Sequence, residues 1–346
     1  MREIFSLARC AVVLGAVCGA AHAASGEFDL ARWDSVLSDV RTTARAGGVS
    51  DAVIDAALKS PAFHPAIIKS DRNQAEFKLT LDQYLGRTVT KSRIDQGRRM
   101  REKYASNLAR VNANSGVPPH VILAFWGLES NYGTFKAAYK LTDAFLTLIY
   151  DGRRETFFKK QLIALMQIAD KNDLDISAIR GSWAGAMGHF QFIPTTLAQY
   201  GADGDGDGRI DIINNIPDAM ASAGNYLGKL GWDSSQRIVR RVMLPAGFDM
   251  SLADGKTKKD LAKWAAMGIV NPDGTPIPMA DMTAGLVADG RAAADTADAE
   301  NAVDTDVAPT RVVYGYLTYP NFYRIKNWNN SNWYAIAIAN LADELK

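Results

Sequence analysis

Cysteine is nearly absent from this chain of 346 residues, because its two cysteines, Cys10 and Cys18, both lie close to the N-terminus. We expect the segment that contains them to be removed, so that the mature chain would hold no cysteine. Disulfide bonds, thiol catalysis, thiolate metal sites and a lipid-bearing cysteine are then excluded. Any chemistry must rest on other side chains.

The N-terminal segment has the three-part order of a secretory signal peptide. Two arginines precede the apolar run Ala11–Ala21, and Ala21–Ala23 supplies a small-x-small cleavage site. The run is too short to cross a bilayer as a stable helix, and the residues before Cys18 lack the motif of a lipoprotein signal. We therefore expect residues 1–23 to be a signal peptide and the mature protein to be soluble in the periplasm.

A charge excess of one sign and long apolar runs are also missing. Lys and Arg number 39 against 38 Asp and Glu, a net charge of +1, which argues against nucleic-acid binding by phosphate neutralisation. No later segment is long and apolar enough to be a transmembrane helix. Hydrophobic residues make up 47% of the chain, enough for a folded core, so a wholly disordered protein is excluded.

The sequence pattern predicts a mainly α (α+β) protein with four parts after the signal peptide. Residues 24–115, rich in Ala, Leu, Arg and Lys, are expected to form an N-terminal helical lobe. A second helical part, residues 116–235, begins at the break before Pro118. Residues 236–312 predict a small β-containing lobe with an acidic mobile loop at 289–308, and residues 313–346 an aromatic segment that ends in a helix.

Within these parts, several elements can be predicted by periodicity and capping. Ser50 or Asp51 should begin a short helix. The charged stretch Arg93–Val111 predicts a single solvated helix with one buried stripe. Residues 311–323 look extended, and the last helix is expected from about Trp333 to Leu345.

Glu129 is the first candidate for chemistry. On a helix that begins near Pro118, it shares a face with Ile122 and Phe125, because residues four and seven positions apart lie on one side of a helix. A carboxyl group there is partly desolvated, which favours the neutral form that can protonate a glycosidic oxygen. A buried glutamate paired with an arginine or capping a loop is the alternative that the helix alone leaves open. The polar turn that follows, up to Gly133, is where a cleft could open.

The second candidate is the stretch Gly181–Pro194, in which small residues alternate with polar and aromatic ones. Ser182 and Gln191 can form hydrogen bonds with sugar hydroxyls and amides, and the three aromatic rings of the stretch offer flat faces for a pyranose. Tight helix packing would explain the small residues but not the polar ones. A second stretch of this composition, Tyr319–Tyr334, is rich in Trp, Tyr and Asn and suits a carbohydrate groove or the docking seam of the last helix.

The sequence DGDGDGRID from Asp203 matches the front half of an EF-hand calcium loop. Carboxylates stand at positions one, three and five, and Arg209 at position seven would contribute its backbone carbonyl. The loop departs from the pattern at position twelve, where Asn214 replaces the bidentate glutamate. Asp218, at the start of the next helix, could close the site instead. A metal-free acidic turn is the alternative.

Together these four stretches resemble the lytic murein transglycosylase B family. The motifs are GLESNYG around Glu129, GSWAGAMGHFQFIP from Gly181, DGDGDGRID followed by PDAMASAGNYL, and NWNNSNWY near the C-terminus. They occur in the order of the family and span most of residues 27–346.

The resemblance implies a lysozyme-like helical core with a flanking helical lobe and a small β-containing lobe. It implies a periplasmic enzyme that cleaves the MurNAc–GlcNAc β-1,4 bond of peptidoglycan and leaves a 1,6-anhydro-MurNAc end. It also implies one structural calcium ion and no organic cofactor. The expected partners are peptidoglycan strands and other cell-wall enzymes, not nucleic acid, and the expected state is a monomer.

Carried onto this chain, the single catalytic glutamate of the family is Glu129. The glycan contacts of the family fall on Ser182, Gln191, Tyr226, Asn329 and Tyr334. Its calcium loop corresponds to Asp203, Asp205, Asp207, Arg209 through the carbonyl, and Asp218. Trp328 stands where several members have a tyrosine.

Two other functions stay open at this point. A hydrolytic muramidase of the same fold that inverts configuration would need a second carboxylate as base, for which Asp143 and Asp151 are the nearest in sequence. A non-catalytic wall-binding protein is the other alternative, although the intact Glu129 argues against it.

Overall fold

Helices make up most of the computed structural model, which describes residues 28–73, 79–289 and 313–346. The expected signal peptide and the acidic segment from residue 290 onward lie outside the described residues. The mainly helical α+β prediction is confirmed for the described part. No helix there combines the length and apolar character that a membrane-spanning helix needs.

The described residues form fourteen α-helices and six β-strands. In chain order, the helices are α1 (Leu30–Ala46), α2 (Asp51–Ala57), α3 (Pro65–Arg72), α4 (Leu81–Thr88), α5 (Lys91–Lys103), α6 (Ala105–Ser115), α7 (Pro119–Ser130), α8 (Leu141–Asp151), α9 (Glu155–Lys171), α10 (Pro194–Tyr200), α11 (Ile216–Lys229), α12 (Leu261–Ala266), α13 (Pro320–Trp328) and α14 (Asn332–Glu344). The strands are β1 (Tyr139–Lys140), β2 (Arg180–Gly181), β3 (Val239–Leu244), β4 (Asp254–Asp260), β5 (Thr283–Ala288) and β6 (Val313–Thr318).

Local capping sets several helix starts. Helix α2 begins after Ser50, whose side chain accepts a hydrogen bond from Val53 N, as the sequence predicts. The prediction of one helix over Arg93–Val111 is wrong, because α5 ends at Lys103 and α6 begins at Ala105. Tyr104 separates them with φ −112° and ψ 25°, and its ring packs 5.5 Å from that of Trp126.

Helix α7 lies at the centre of the molecule. Its residues from Val121 to Gly127 are all buried, as expected for a helix that is apolar around its whole circumference. It packs against α14 on one side and against α5 and α6 on others. The residue at the end of this helix therefore stands where the N-terminal helices, the central helices and the last helix meet.

The larger sheet is antiparallel, with strand order β3-β6-β5-β4, and it covers a second, smaller core around Trp264, Leu286 and Leu317. Strand β6 pairs with both β3 and β5. The extended stretch predicted for residues 311–323 ends earlier than expected, because β6 stops at Thr318 and helix α13 begins at Pro320. The sequence pattern did not predict β4, whose alternating charges suit an edge strand with one face in water.

Candidate active site

Glu129 is the penultimate residue of α7, and the chain turns sharply immediately after it. Asn131 and Tyr132 both adopt left-handed backbone conformations, with φ of 48° and 58°. Such conformations are uncommon for residues other than glycine and cluster at functional sites. The turn ends the buried helix, so that the half-buried Glu129 lies at its end and not within the core.

The carboxyl group of Glu129 is held from the last helix. Its Oε1 accepts a hydrogen bond of 2.6 Å from the hydroxyl of Tyr334, a residue of α14 that is only 2% exposed. Tyr84 of α4 lies close enough for its titration to respond to Glu129: burial raises the pKa of Tyr84 to about 12, and the negative charge of Glu129 contributes to that rise. Sequence reasoning missed Tyr84, since its segment carries no recognisable motif.

The loop from Gly181 to Ile193 is tied to the end of α7. Ser130 Oγ donates a 2.6 Å hydrogen bond to the backbone carbonyl of His189, and Trp126 Nε1 donates one of 3.0 Å to His189 Nδ1. Gly133, with φ of 82°, lies directly against the His189 ring, since a Cβ at this position would be 2.4 Å from His189 Cε1. His189 therefore packs between the end of α7 and the turn that follows it, a structural role, and burial lowers its pKa from the usual 6.5.

Ser182 and Gln191, the predicted glycan contacts of this loop, are both half-buried. Ser182 Oγ accepts a hydrogen bond from Ala186 N, and Gln191 Nε2 donates one to the Gly188 carbonyl. Gln191 also has a left-handed backbone, with φ of 50°. The side chains of both residues thus stabilise the loop, and their remaining acceptor capacity could be offered to a ligand.

Tyr226, Asn329 and Trp328 form the next part of the site. The Tyr226 hydroxyl donates to the carbonyl of Asn327, and its ring lies 5.1 Å from that of Trp328. Trp328 is only 4% exposed and contacts the ring of Phe125, one turn before Glu129, at 4.7 Å. The structure thus places most of the Trp328 side chain, which replaces a tyrosine of several family members, in the aromatic core.

A cleft of about 500 Å³ opens beside this aromatic cluster. Its described lining comes from α10, α11 and α13 and includes Tyr226 and Trp328. The structure therefore joins Glu129 to Tyr334, packs Tyr226 against Trp328, and places Ser182 and Gln191 on one loop. Glu129 is the predicted catalytic residue and Ser182, Gln191, Tyr226 and Tyr334 are predicted glycan contacts, of which Tyr226 lines the cleft.

The two other carboxylates that could serve as a base are engaged elsewhere. Asp143 is buried, 3.7 Å from His64 Nε2 and 3.9 Å from Lys140 Nζ. Asp151 lies 2.5 Å from the guanidinium of Arg72. Both are residues of α8 that form ion pairs, Asp143 with Lys140 and Asp151 with Arg72.

Three carboxylates of the acidic loop converge. Asp203, Asp205 and Asp218 each present an oxygen within 4.8 Å of the others, an arrangement that could hold a metal ion. Asp218 is fully buried, and burial raises the pKa of its carboxyl group. Asp207 accepts a hydrogen bond from Arg209 N, and Asn214, at position twelve, donates to Asp211. The three carboxylates supply oxygen donors, which are the ligands that hard cations prefer.

Comparison with known proteins identifies a family model and several similar chains. Residues 32–343 match the family model described as the transglycosylase SLT domain. The chain is 29% identical over 261 residues to membrane-bound lytic murein transglycosylase B of Escherichia coli, a match that covers 74% of this chain and 64% of that protein. The chain thus spans less than two thirds of that relative.

Solved structures show the same fold. SltB3 from Pseudomonas aeruginosa, solved in complex with NAG-NAM-pentapeptide, is 35% identical with a TM-score of 0.79, covering 90% of this chain and 79% of SltB3. The lytic transglycosylase Slt35 of Escherichia coli, solved in complex with calcium, is 24% identical with a TM-score of 0.73 over 91% of this chain and 92% of Slt35. With the family match extending over nearly the whole described structure, the chain belongs to the transglycosylase SLT domain family.

Proposed function

We propose that this protein is a lytic transglycosylase that cleaves the MurNAc–GlcNAc β-1,4 bond of peptidoglycan without water and leaves 1,6-anhydro-MurNAc ends. The observation that carries the proposal is the placement of Glu129, half-buried at the end of a buried helix and hydrogen-bonded to Tyr334. A carboxyl group in this position can exchange a proton with a bound glycan while the surrounding aromatic residues limit access of water.

In this mechanism Glu129 acts twice. It first protonates the glycosidic oxygen, so that the bond to the leaving sugar breaks. The resulting carboxylate then accepts the proton of the muramyl C6 hydroxyl as that oxygen attacks the anomeric carbon. The attack is intramolecular, because the hydroxyl is tethered to the same sugar, and so no water has to be positioned. One carboxyl group serves both steps.

The charge environment of the other carboxylates supports this reaction over hydrolysis with inversion. Inversion requires a second carboxylate that holds a water opposite the acid. Asp143 and Asp151, the candidates from the sequence, are ion-paired with Lys140 and Arg72. SltB3 has also been solved with NAG-anhNAM-pentapeptide, a ligand that contains the anhydro sugar.

We assign glycan binding to Ser182, Gln191, Tyr226, Asn329 and Tyr334. The first two are on the loop tied to the end of α7, and the others surround the aromatic core behind it. Tyr334 has a second role in this assignment, since its hydroxyl holds the catalytic carboxyl group. The organisation into an N-terminal helical lobe (24–115), a catalytic core (116–235), a small β-containing lobe and a C-terminal segment (313–346) is part of the same proposal.

A calcium ion at the acidic loop is the second part of the proposal. Asp203, Asp205, Asp207, the Arg209 carbonyl and Asp218 would hold it, in an EF-hand-like loop closed from the first turn of α11. The ion would neutralise converging carboxylates and link the loop to the helix, which is a structural role. The Asp203–Asp205–Asp218 group supports this assignment. We further propose export to the periplasm with removal of residues 1–23, and a monomeric state.

Digestion of purified peptidoglycan with product mass determination tests the reaction. Transglycosylation predicts muropeptides that end in 1,6-anhydro-MurNAc, lighter by one water than the products of a hydrolase. Reducing-end MurNAc as the primary product would favour the muramidase. Binding to peptidoglycan with no cleavage in any condition would favour the wall-binding protein.

A further inference from the structure

The cleft beside Trp328 contains one charged group in its described lining, the ammonium of Lys326. The rest of that lining is aromatic, aliphatic or neutral and polar. Lys326 lies on α13, two residues before Trp328, and both residues line the cleft together with Tyr226. A ligand bound at Tyr226, one of the assigned glycan contacts, would therefore meet a positive charge in this cleft.

The ammonium of Lys326 is only partly satisfied by the protein. Its Nζ donates a 2.6 Å hydrogen bond to Asn332 Oδ1, which uses one of three N–H groups. No carboxylate in the described ranges forms an ion pair with it. Burial lowers its pKa most, the positive charge of Lys256 lowers it further, and the negative charge of Asp254 raises it. Burying a cation whose charge is only partly balanced is costly, and an anionic ligand would reduce that cost.

The neighbouring strand β4 adds to the positive potential. Lys256 and Lys258 are both exposed there, and Lys258 Nζ lies 4.0 Å from the centre of the Tyr323 ring, which also lines the cleft. The counter-charge of this region is Asp254, whose carboxylate accepts hydrogen bonds from the backbone N–H groups of Lys256 and Thr257. Two further ammonium groups, those of Lys256 and Lys258, thus lie on the strand that carries Asp254, and the Asp254 carboxylate is hydrogen-bonded to backbone N–H groups.

We infer that this cleft receives the stem peptide of the substrate and that Lys326 binds one of its carboxylates. The inference rests on the proposed function, because it takes peptidoglycan as the substrate. The N-acetylated sugars of the glycan strand are uncharged, and the carboxylates are on the peptide attached to the muramyl lactyl group. A cation in the wall of the cleft is therefore complementary to the peptide and not to the glycan. Lys326 is a specificity-determining residue in this assignment.

Two synthetic substrates separate charge from size. One is a tetrasaccharide of alternating GlcNAc and MurNAc that carries stem peptides with free carboxylates; the other is the same molecule with every peptide carboxylate replaced by a primary amide. The readout is the ratio of kcat/KM for the carboxylate form to that for the amide form. A loss of folded protein changes both values equally and leaves the ratio unaltered.

We expect the wild type to prefer the carboxylate form, and Lys326→Met to reduce the ratio by about tenfold, which corresponds to ~1.4 kcal/mol. Lys326→Arg keeps the charge and should retain most of the preference. Lys59→Met, which removes an exposed lysine from the connection between α2 and α3, is the matched control and should keep the wild-type ratio.

The inference is overturned if the wild type shows no preference, or if Lys326→Met and Lys59→Met give the same ratio. The experiment distinguishes failure of this inference from failure of the proposed function. Hydrolytic products with a Lys326-dependent carboxylate preference would overturn transglycosylation and support the role of the cleft. Anhydro products with no such preference would support transglycosylation and overturn the role of Lys326. No cleavage of either substrate would overturn both hypotheses.

Discussion

The hydroxyl of Tyr334 donates a 2.6 Å hydrogen bond to Oε1 of Glu129, although the two residues are 205 positions apart in the chain. The contact joins the last helix to the central one at the carboxyl group that we propose to be catalytic. It fixes the orientation of that carboxyl group, because Tyr334 is itself buried and its ring lies 6.2 Å from that of Phe125. Catalysis should therefore depend on the carboxyl group and on the hydroxyl that holds it.

Glu129→Gln should reduce glycan cleavage by ~100-fold to 10,000-fold, the range that a positioned acid or base contributes. Glutamine is nearly isosteric and can still accept the hydrogen bond from Tyr334, but it cannot deliver a proton. The melting temperature and the binding of muropeptides should stay close to those of the wild type. Asp143→Asn is the comparison variant, and turnover per folded molecule should be retained in it. Full activity of Glu129→Gln would overturn both enzymatic hypotheses.

Tyr334→Phe should lower kcat about tenfold with little change in KM, since a side-chain hydrogen bond contributes ~0.5–1.5 kcal/mol and its loss frees the carboxyl group to rotate. Steady-state kinetics on soluble glycan strands provide the measurement. Tyr314→Phe, at a tyrosine that is 40% exposed, is the control. A raised KM with unchanged kcat would mean that Tyr334 contributes only glycan binding.

Calcium should raise the melting temperature more than magnesium does, and a chelator should lower it, because an ion that binds only the folded state stabilises that state by mass action. The effect should disappear in Asp218→Asn, which removes the buried carboxylate of the group. Asp34→Asn, at an exposed position of α1, should respond to calcium as the wild type does. Equal melting temperatures in calcium, magnesium and chelator would support the alternative, a metal-free acidic turn.

Acidification should destabilise the fold through His189. Its pKa is lowered by burial in the folded state, so the unfolded chain binds the proton first as pH falls through about 6.5. Stability is therefore present above that pH and is lost below it, until the folded pKa is reached. The loss in melting temperature between about pH 7.5 and pH 5 should be smaller in His189→Gln than in the wild type. Identical pH dependence in the two proteins would exclude His189 as the cause.

Gly133→Ala should destabilise the protein by more than Gly274→Ala does. Both glycines have a left-handed backbone, with φ of 82° and 81°, so both substitutions introduce backbone strain of ~1 kcal/mol or more. Only at Gly133 would the added Cβ also collide with the His189 ring, at 2.4 Å, whereas no atom lies within 4 Å at Gly274. Denaturant unfolding of the two variants measures the difference in free energy of unfolding. Equal losses would show that the residues around Gly133 shift to accommodate the added Cβ.

Secondary structure could be predicted where local sequence decides it. Pro119 and the long apolar run determine α7, and Ser50 caps α2 by a hydrogen bond within its own first turn. Where tertiary packing determines the secondary structure, the sequence prediction was wrong or absent. Helical propensity continues through Tyr104, yet the helix ends there, where the ring of this residue packs near Trp126. The charged β4 is a strand because β5 pairs with it.

In the candidate site, too, some features follow from the local sequence and others only from tertiary packing. The sequence by itself determined the types and order of the reactive groups: one glutamate at the end of an apolar helix, a glycine-rich polar loop and a run of alternating aspartates. Their spacing along the chain suffices, because these features depend on helix periodicity and turn geometry. Only the tertiary structure decided that Tyr334 and Tyr84 flank Glu129, that Trp328 is mostly buried, and that Lys326 stands in the cleft. Contacts between residues far apart in the chain depend on how helices pack, and the local pattern does not encode that packing.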